Sequence, residues 1–324
     1  MPATVLILGA RGRFGLAAAR AFADAGWRVL GQIRPGAQAP AELAADRRIQ
    51  WLAVDLFDAI AVARAAQAAS VVVHALSPPY TNKAWQAQAL PMTEAAIGIS
   101  RALNATLMFM GNIYNFGAAM PAVLAEDTPQ QASTVKGQIR IAIEERIRAS
   151  GVRAIVIRAG DFFGSGTGSW FDQAIVKDIQ KGKFTYPGHK DVATAWAYLP
   201  DLARTFAEVA ARRDQLNTFE VFHFAGLAIS GQQWRDAIEP IALAQGWIKP
   251  DAKLQYKRLP WPLMRLGAMF VPTWAALLEM RYLWDSPHAL DNRKLLAFLG
   301  AEPHTALPIA LTQTLRDLGF TKGD

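Results

Sequence analysis

The sequence predicts an α/β fold, with a doubly wound parallel sheet covered by helices on both faces and a smaller mixed C-terminal lobe. Apolar, β-rich runs alternate with Ala-rich helical runs through the first half of the chain. The apolar runs are continuous, as expected for parallel strands that are buried on both faces. A glycine-rich turn follows the first of these runs directly, which is where a strand would pass into a helix.

The elements can be assigned in chain order. The predicted strands are TVLILG, RVLGQI, IQWLAVD, VVVHAL, LMFMGN and VRAIVIRAG, and the segments between them have helical patterns. A long helix over 136–149 leads to the last of these strands. We therefore expect a first domain over 1–160, which 190–225 rejoins, and a substrate-binding lobe formed mainly by 161–324.

Composition excludes several classes of protein. Of the 324 residues, 52% are apolar and 19% are charged, which is typical of a globular protein. The net charge of +7 favours anionic ligands, but the basic residues are scattered, so we expect no nucleic-acid partner. The chain has no cysteine, and its five histidines show no metal-like spacing, so no metal site is expected. The first residues lack a signal-peptide pattern, which predicts a cytoplasmic location.

The most membrane-like segment is LGAMFVPTWAALL, residues 266–278. Its 13 uncharged residues are too few to cross a bilayer, and Pro272 interrupts them, so no membrane span is predicted. We expect a buried or pocket-lining pair of helices here, with an interfacial membrane helix as the alternative.

The glycine turn GARGRFG places Gly9, Gly12 and Gly15 between the first strand and the first helix. Glycine permits the tight turn, the close approach of backbone to a diphosphate and the packing of helix on strand. The free N–H groups at the helix N-terminus then bind the anion. The turn predicts a Rossmann-type dinucleotide-binding domain, with Phe14 beside the cofactor.

Arginines near this turn favour NADP(H) over NAD(H). The second strand ends in Arg34, where an NAD-preferring protein usually carries an acidic residue for the ribose hydroxyls, and an arginine pairs instead with a 2′-phosphate. Arg11 and Arg13 lie in the turn within reach of the same region, although solvated surface arginines are the alternative. Asp55 and Leu56 close the third strand where the adenine would lie, and a helix cap explains Asp55 nearly as well.

These motifs resemble the short-chain dehydrogenase/reductase superfamily in its extended form, which includes nucleotide-sugar epimerases and dehydratases. The matching segments are GARGRFG, AVDLFD, HALSPP, VRAIVIRAGDFFG and YLPDLARTFAEV, within residues 3–210. The resemblance implies that Ala75, Leu76 and Ser77, in the turn after strand four, contact the cofactor. It also implies a small-molecule substrate and a homodimer formed through helices over 84–103 and 136–149.

The family's reaction needs a serine or threonine after strand five and a tyrosine four residues before a lysine on the next helix. The lysine lowers the pKa of the tyrosine, which transfers a proton. Here the resemblance places Asn112 at the serine position, where an amide can still donate a hydrogen bond to a carbonyl. The family also has a glutamate four residues after the lysine. If Glu144 in the helix STVKGQIRIAIEE matches that glutamate, Arg140 occupies the lysine position and Lys136 occupies the tyrosine position. The other register puts Lys136 at the lysine and Ala132 at the tyrosine, so the tyrosine is missing in both.

Three functions are compatible with this altered site. The first is an NADP(H)-dependent oxidoreductase, in which Lys136, its pKa lowered by burial and by Arg140, transfers the proton. Tyr114 is the second candidate for the residue that donates this proton. Reductases of the isoflavone-reductase type look similar, because they use a lysine without the tyrosine. The second function is a dinucleotide-binding regulatory protein without turnover, and the third is a structural protein whose glycine turn binds nothing.

The predicted substrate pocket lies between residues 78–80, the turn after strand five, the loop GSGTGSWF at 164–171 and the aromatic C-terminal lobe. Few acids and many rings favour a small apolar or aromatic carbonyl or enone substrate. A nucleotide-sugar epimerase or dehydratase is the alternative. Asp161 and Asp201 are expected to be caps or structural partners, and Arg158 either faces the pocket or stabilises the end of its strand.

Overall fold

The computed structural model describes residues 2–321 of the chain. The strands are β1 Thr4–Leu8, β2 Arg28–Ile33, β3 Ile49–Ala53, β4 Val71–His74, β5 Thr106–Asn112, β6 Val123–Leu124, β7 Ala154–Ala159, β8 Asp161–Phe163, β9 Lys183–Tyr186, β10 Ala193–Tyr198, β11 Phe219–His223, β12 Leu227–Ser230, β13 Gln255–Arg258 and β14 Ala289–Leu290. The α-helices are α1 Arg13–Asp24, α2 Ala59–Ala65, α3 Asn82–Leu103, α4 Val135–Ala149, α5 Leu199–Ala211, α6 Gly231–Ala244, α7 Trp261–Gly267, α8 Pro272–Met280, α9 Tyr282–Asp285, α10 Arg293–Leu299 and α11 Leu307–Asp317.

Seven parallel strands form the main sheet, in the order β11-β7-β5-β4-β1-β2-β3. The order reverses between β1 and β4, and ligands of such folds bind outside the carboxyl ends of the strands at this point. Leu8 pairs with His74 in the register of these two strands, so the turns that begin at Gly9 and Ala75 emerge side by side. The doubly wound parallel fold predicted from the sequence is confirmed.

Helices cover both faces of the sheet, as the continuous apolar strands require. Ile7 of β1 packs beneath α1 and α5 in a cluster with Phe14 and Phe206, whose rings lie 4.9 Å apart. The adjacent Leu6 points to the opposite face, into a cluster with Trp85 of α3. Because successive strand residues alternate between faces, each strand contributes to both clusters.

The C-terminal lobe is built on smaller sheets and an aromatic core. In one sheet, β10 pairs with β8 in parallel and with β12 antiparallel. Trp234 lies at the centre of the lobe, with ring centroids 5.1 Å from Phe163, 5.1 Å from Phe171 and 5.4 Å from Trp196. Two elements that follow the start of the lobe in the sequence lie against the main sheet: β11 pairs with β7 at its edge, and α5 packs on α1.

The segment expected to form a buried or pocket-lining helix pair is the hairpin of α7 and α8, and Thr273 of α8 lines the cavity described below. Its inner side is buried, but Leu263, Leu266, Met269 and Phe270 are 58%, 75%, 88% and 84% exposed. We call these four residues the apolar tip. Sequence pattern alone gave no sign of this, because an apolar run normally packs into a core. Within residues 2–321, no helix has the length and apolar character needed to cross a membrane.

Candidate active site

The glycine turn has the geometry that a diphosphate site requires. Gly9 has a φ of +76°, and a Cβ there would lie 2.9 Å from Leu76 Cδ2. A Cβ on Gly15 would lie 2.4 Å from the carbonyl oxygen of Gly9, so only glycine lets α1 pack this closely on the turn. Gly12 is the N-cap of α1, no side chain caps it, and the first turn of the helix carries no acidic residue. The exposed N–H groups of that turn therefore suit an anion.

A cavity of about 1320 Å³ extends from this turn along the carboxyl ends of the central strands. It is lined by all but one of the residues predicted to contact the cofactor: Gly9, Arg11, Gly12, Arg13, Phe14, Arg34, Asp55, Leu56, Ala75, Leu76 and Ser77. The exception, Gly15, lies beneath the turn and acts through packing. The volume exceeds that of common small-ligand pockets, about 300–1,000 Å³.

A side chain that sequence reasoning missed fixes the position of the glycine turn. Gln32, which is buried in β2, accepts a hydrogen bond from the Gly9 N–H at 3.2 Å. Its amide nitrogen donates to the carbonyl oxygen of Val54 at 2.8 Å. A polar residue inside an otherwise apolar strand was the available signal, because buried polar groups are placed for their partners.

The three arginines near the turn have different surroundings. Arg11 and Arg34 are exposed at the rim of the cavity. Arg13 instead donates from Nη2 to the carbonyl oxygen of Gly164 at 2.6 Å, and burial lowers its pKa to about 10. Its guanidinium thus ties the glycine turn to the loop before Trp170, whereas Arg11 and Arg34 remain exposed at the rim.

Two tyrosines and an asparagine border the far end of the cavity. Asn112 ends β5, and its Oδ1 accepts a hydrogen bond from the Tyr114 N–H at 3.1 Å. The hydroxyl of Tyr114 lies 3.4 Å from that of Tyr80, and all three residues line the cavity. Burial raises the pKa of both tyrosines above the ordinary value, so their hydroxyls stay protonated at neutral pH and act as hydrogen-bond donors.

Asp161 lies in the wall of the same end of the cavity, where a cap or structural partner was expected. Its Oδ2 accepts a hydrogen bond from Trp284 Nε1 at 2.8 Å. Burial raises the pKa of the Asp161 carboxyl to about 6, and no salt bridge forms to it from within residues 2–321. A carboxyl with this pKa can hold or release a proton near neutral pH. Asp201, by contrast, is structural as expected, since it accepts hydrogen bonds from Thr305 N and Oγ1.

Lys136, the first candidate for proton transfer, is not among the residues that line the cavity. It is fully buried, and its Nζ donates to Asn82 Oδ1 and lies 4.6 Å above the ring of Tyr80. The Tyr80 ring, not Lys136, faces the cavity. Burial lowers the pKa of Lys136 to about 8, opposed by the charge of Glu279, and Arg140 has no part in the shift.

Arg140 borders the cavity but is held firmly by its surroundings. Its Nη1 donates to the carbonyl oxygen of Met110 at 3.1 Å, and the guanidinium carbon lies 5.1 Å from the ring centroid of Trp85 and 5.3 Å from that of Phe109. Burial lowers the pKa of Arg140. The cation is therefore a fixed positive charge in the cavity wall.

Arg158 and Glu144 form a buried ion pair away from the cavity. Arg158 Nη2 donates to Glu144 Oε2 at 2.7 Å, and Arg158 Nε donates to Oε1 at 3.1 Å. Asn115 Nδ2 donates to the same carboxylate at 3.0 Å. Of the two roles considered for Arg158, the structure supports stabilisation of the strand end. Residues 2–321 contain no cluster of His, Asp and Glu side chains that could hold a metal ion.

Comparisons with known proteins agree with this geometry. The family model described as the RmlD substrate binding domain matches residues 3–241. No curated protein matches the sequence. A solved structure from Burkholderia cenocepacia J2315, provisionally described as an epimerase, has 18% identity and a TM-score of 0.73, and covers 97% of this chain and 98% of its own.

Two further solved structures contain a dinucleotide. The Bordetella bronchiseptica enzyme WbmH, in complex with NAD+, has 16% identity and a TM-score of 0.71, with 98% of each chain covered. The UDP-glucuronic acid 4-epimerase from Bacillus cereus, in complex with UDP-glucuronic acid and NAD, has 16% identity and a TM-score of 0.71, with 97% of this chain and 98% of the epimerase covered. At these identities the likeness establishes a shared fold.

Proposed function

We propose that this chain, which belongs to the family of the RmlD substrate binding domain, is an NADP(H)-dependent oxidoreductase that acts on a small apolar or aromatic carbonyl or enone. Family membership confirms the resemblance to the extended short-chain dehydrogenase/reductase superfamily. The observation that carries the proposal is the cavity that joins the glycine turn to Tyr114 and Asp161. One end suits a dinucleotide and the other holds groups that can transfer a proton.

The residues of the turn fit a dinucleotide. Gly9 and Gly15 allow the tight turn, and the uncapped N-terminus of α1 suits the charge of a diphosphate. Asp55, Ala75, Leu76 and Ser77 line the same cavity, and we expect Asp55 to contact the adenine and the other three to lie along the bound cofactor. When bound, the dinucleotide would supply or accept a hydride. The NAD in two structures of the same fold supports this class of cofactor.

We expect Arg34→Ala to weaken NADPH binding by about 10- to 100-fold, since a charge-assisted hydrogen bond to the 2′-phosphate is lost. NADH lacks that phosphate, so its affinity should not change. Calorimetric titration with both nucleotides measures the two effects. Arg28→Ala is the matched control, because Arg28 is exposed at the other end of β2 and its side chain donates a hydrogen bond to Gln50 Oε1 at 2.8 Å. Equal losses for NADPH and NADH would contradict the assignment.

Reduction of a carbonyl requires a proton at the oxygen that receives the new charge. Asp161 can supply it, because a carboxyl with a pKa of about 6 is partly protonated near neutral pH. Tyr114 and Asn112 also line the cavity, and we expect them to donate hydrogen bonds to the same oxygen. Oxidation in the reverse direction would use the Asp161 carboxylate as the base.

The substrate end of the cavity favours rings over charged groups. Its wall includes Tyr80, Trp85, Met92, Met110 and Trp170. Such a wall buries apolar surface of a ligand, and the few polar groups fix its orientation. This composition supports a ring-bearing carbonyl or enone.

Nucleotide-sugar epimerisation is the second candidate, supported by the UDP-glucuronic acid bound to the epimerase of the same fold. To separate the two, NADPH consumption should be measured with a panel of aromatic aldehydes, ketones and enones, and UDP-sugar interconversion should be followed in parallel by chromatography. We expect NADPH consumption. UDP-sugar interconversion without it would establish the second candidate, and tight NADPH binding with neither reaction would indicate a regulatory protein.

A further inference from the structure

The apolar tip of the α7–α8 hairpin is the largest group of exposed apolar side chains that are close in sequence. Leu263, Leu266, Met269 and Phe270 fall within eight residues, and Met269 and Phe270 are 88% and 84% exposed. Single exposed apolar residues are normal on a protein surface, but grouped ones indicate a binding surface.

The charge of the hairpin indicates which kind of surface it fits. Arg265 lies on α7, and Lys257 and Arg258 lie on β13, the strand that precedes α7. The acid of the hairpin, Glu279, lies near the end of α8, nine residues after Phe270. Arg265 lies between two residues of the apolar tip, is exposed, and makes no salt bridge within residues 2–321. Exposed apolar side chains with basic residues beside them are typical of proteins that lie on anionic lipid.

Both ends of the hairpin are hydrogen-bonded to the rest of the protein, which holds the apolar tip in a fixed position on the surface. Trp261 at the start of α7 is buried, and its Nε1 donates to the carbonyl oxygen of Pro187 at 2.8 Å. Glu279 near the end of α8 accepts a hydrogen bond from Asn82 Nδ2 at 2.8 Å. Thr273, in the first turn of α8, lines the cavity. The same short hairpin thus carries both the apolar tip and a residue of the cavity wall.

We propose that the apolar tip inserts into the headgroup region of an anionic phospholipid bilayer and holds the cavity mouth at the membrane surface. The helices have 7 and 9 residues, so they lie at the interface and do not span it. A second copy of the chain fits less well, because a two-fold contact through this tip would place two copies of Arg265 in one interface. The proposal does not depend on the proposed reaction, since lipid binding is measured without turnover.

Sedimentation with vesicles tests the proposal. We expect the full chain to sediment with vesicles of phosphatidylcholine mixed with phosphatidylglycerol, and much less with phosphatidylcholine alone. Phe270→Asp combined with Met269→Asp should abolish the binding, and Arg265→Gln should weaken it about fivefold, as expected for one basic residue near the surface. Ile309→Asp is the matched control, because Ile309 is 64% exposed on α11, outside the hairpin, and its replacement should leave binding unchanged.

Three outcomes would overturn the proposal. The first is that anionic vesicles bind no more protein than neutral ones. The second is that Ile309→Asp reduces binding as strongly as the tip variant, which would mean that binding is unspecific. The third is a dimer in solution, seen by light scattering, that the Phe270→Asp and Met269→Asp variant dissociates, because the tip would then belong to a contact between two copies of the chain.

Discussion

Replacing Asp161 with asparagine is expected to lower kcat/KM for the reduction by about 10²- to 10⁴-fold, the usual contribution of a general acid. The amide keeps the size of the carboxyl and can still accept the hydrogen bond from Trp284, so the structure of the cavity wall should be preserved. NADPH affinity should therefore stay at the wild-type value. A variant that keeps full turnover would exclude Asp161 as the proton donor, and Tyr114→Phe would then be the next variant to measure.

The pH profile gives an independent check on the same residue. Burial raises the pKa of Asp161 to about 6, so the protonated acid predominates below that pH. For reduction, kcat/KM of the wild type should fall about tenfold per pH unit above pH 6, and oxidation should show the opposite trend. Asp161→Asn should remove this dependence. A profile that is unchanged in the variant would assign the ionisation to another group.

Lys136→Met provides the contrasting variant. Lys136 donates to Asn82 and lies beneath the ring of Tyr80, outside the cavity lining. Its replacement should lower the melting temperature, because Asn82 Oδ1 loses its donor, but should leave kcat/KM close to the wild-type value. A large loss of turnover with intact NADPH binding would return Lys136 to the reaction.

Glu144→Gln is expected to cost about 3–5 kcal/mol of unfolding free energy, because it leaves the Arg158 guanidinium buried without a counter-charge. Both side chains are almost completely buried, at 1% exposure for Arg158 and 5% for Glu144. Urea unfolding with an unchanged m-value measures the loss.

The matched control for that variant is Glu94→Gln, which removes the exposed ion pair between Glu94 and Arg146. Exposed pairs are screened by water, so this change should be much smaller than that of Glu144→Gln. If the two variants lost the same stability, the buried pair would not hold the end of β7 as inferred.

The fold and the dinucleotide end of the cavity could be predicted because their signals are local. Continuous apolar strands, the helices between them and a glycine turn of fixed spacing each occupy short stretches of sequence. The positions of Gly9 and Gly15 follow from backbone geometry within that one turn. Arg34 and Asp55 could be placed beside this turn because each comes just after the carboxyl end of a neighbouring strand.

The substrate end could not be predicted because its contacts join distant residues. The Asp161 carboxyl is hydrogen-bonded to Trp284, which lies 123 residues later in the sequence. The Arg13 guanidinium is hydrogen-bonded to Gly164, which lies 151 residues later. The burial of Lys136 depends on Asn82, which lies on another helix. One signal was present: Asp161 follows the carboxyl end of a buried parallel strand, where ligands bind.

Titration of the purified protein with NADPH tests the central claim, that the cavity is a nicotinamide-dinucleotide site. Trp85 and Trp170 line the cavity, so bound NADPH should quench tryptophan fluorescence and emit by energy transfer. We expect saturable binding of one NADPH per chain, displaced by NADP+. A failure of both NADPH and NADH to bind, by fluorescence and by calorimetry, would contradict it.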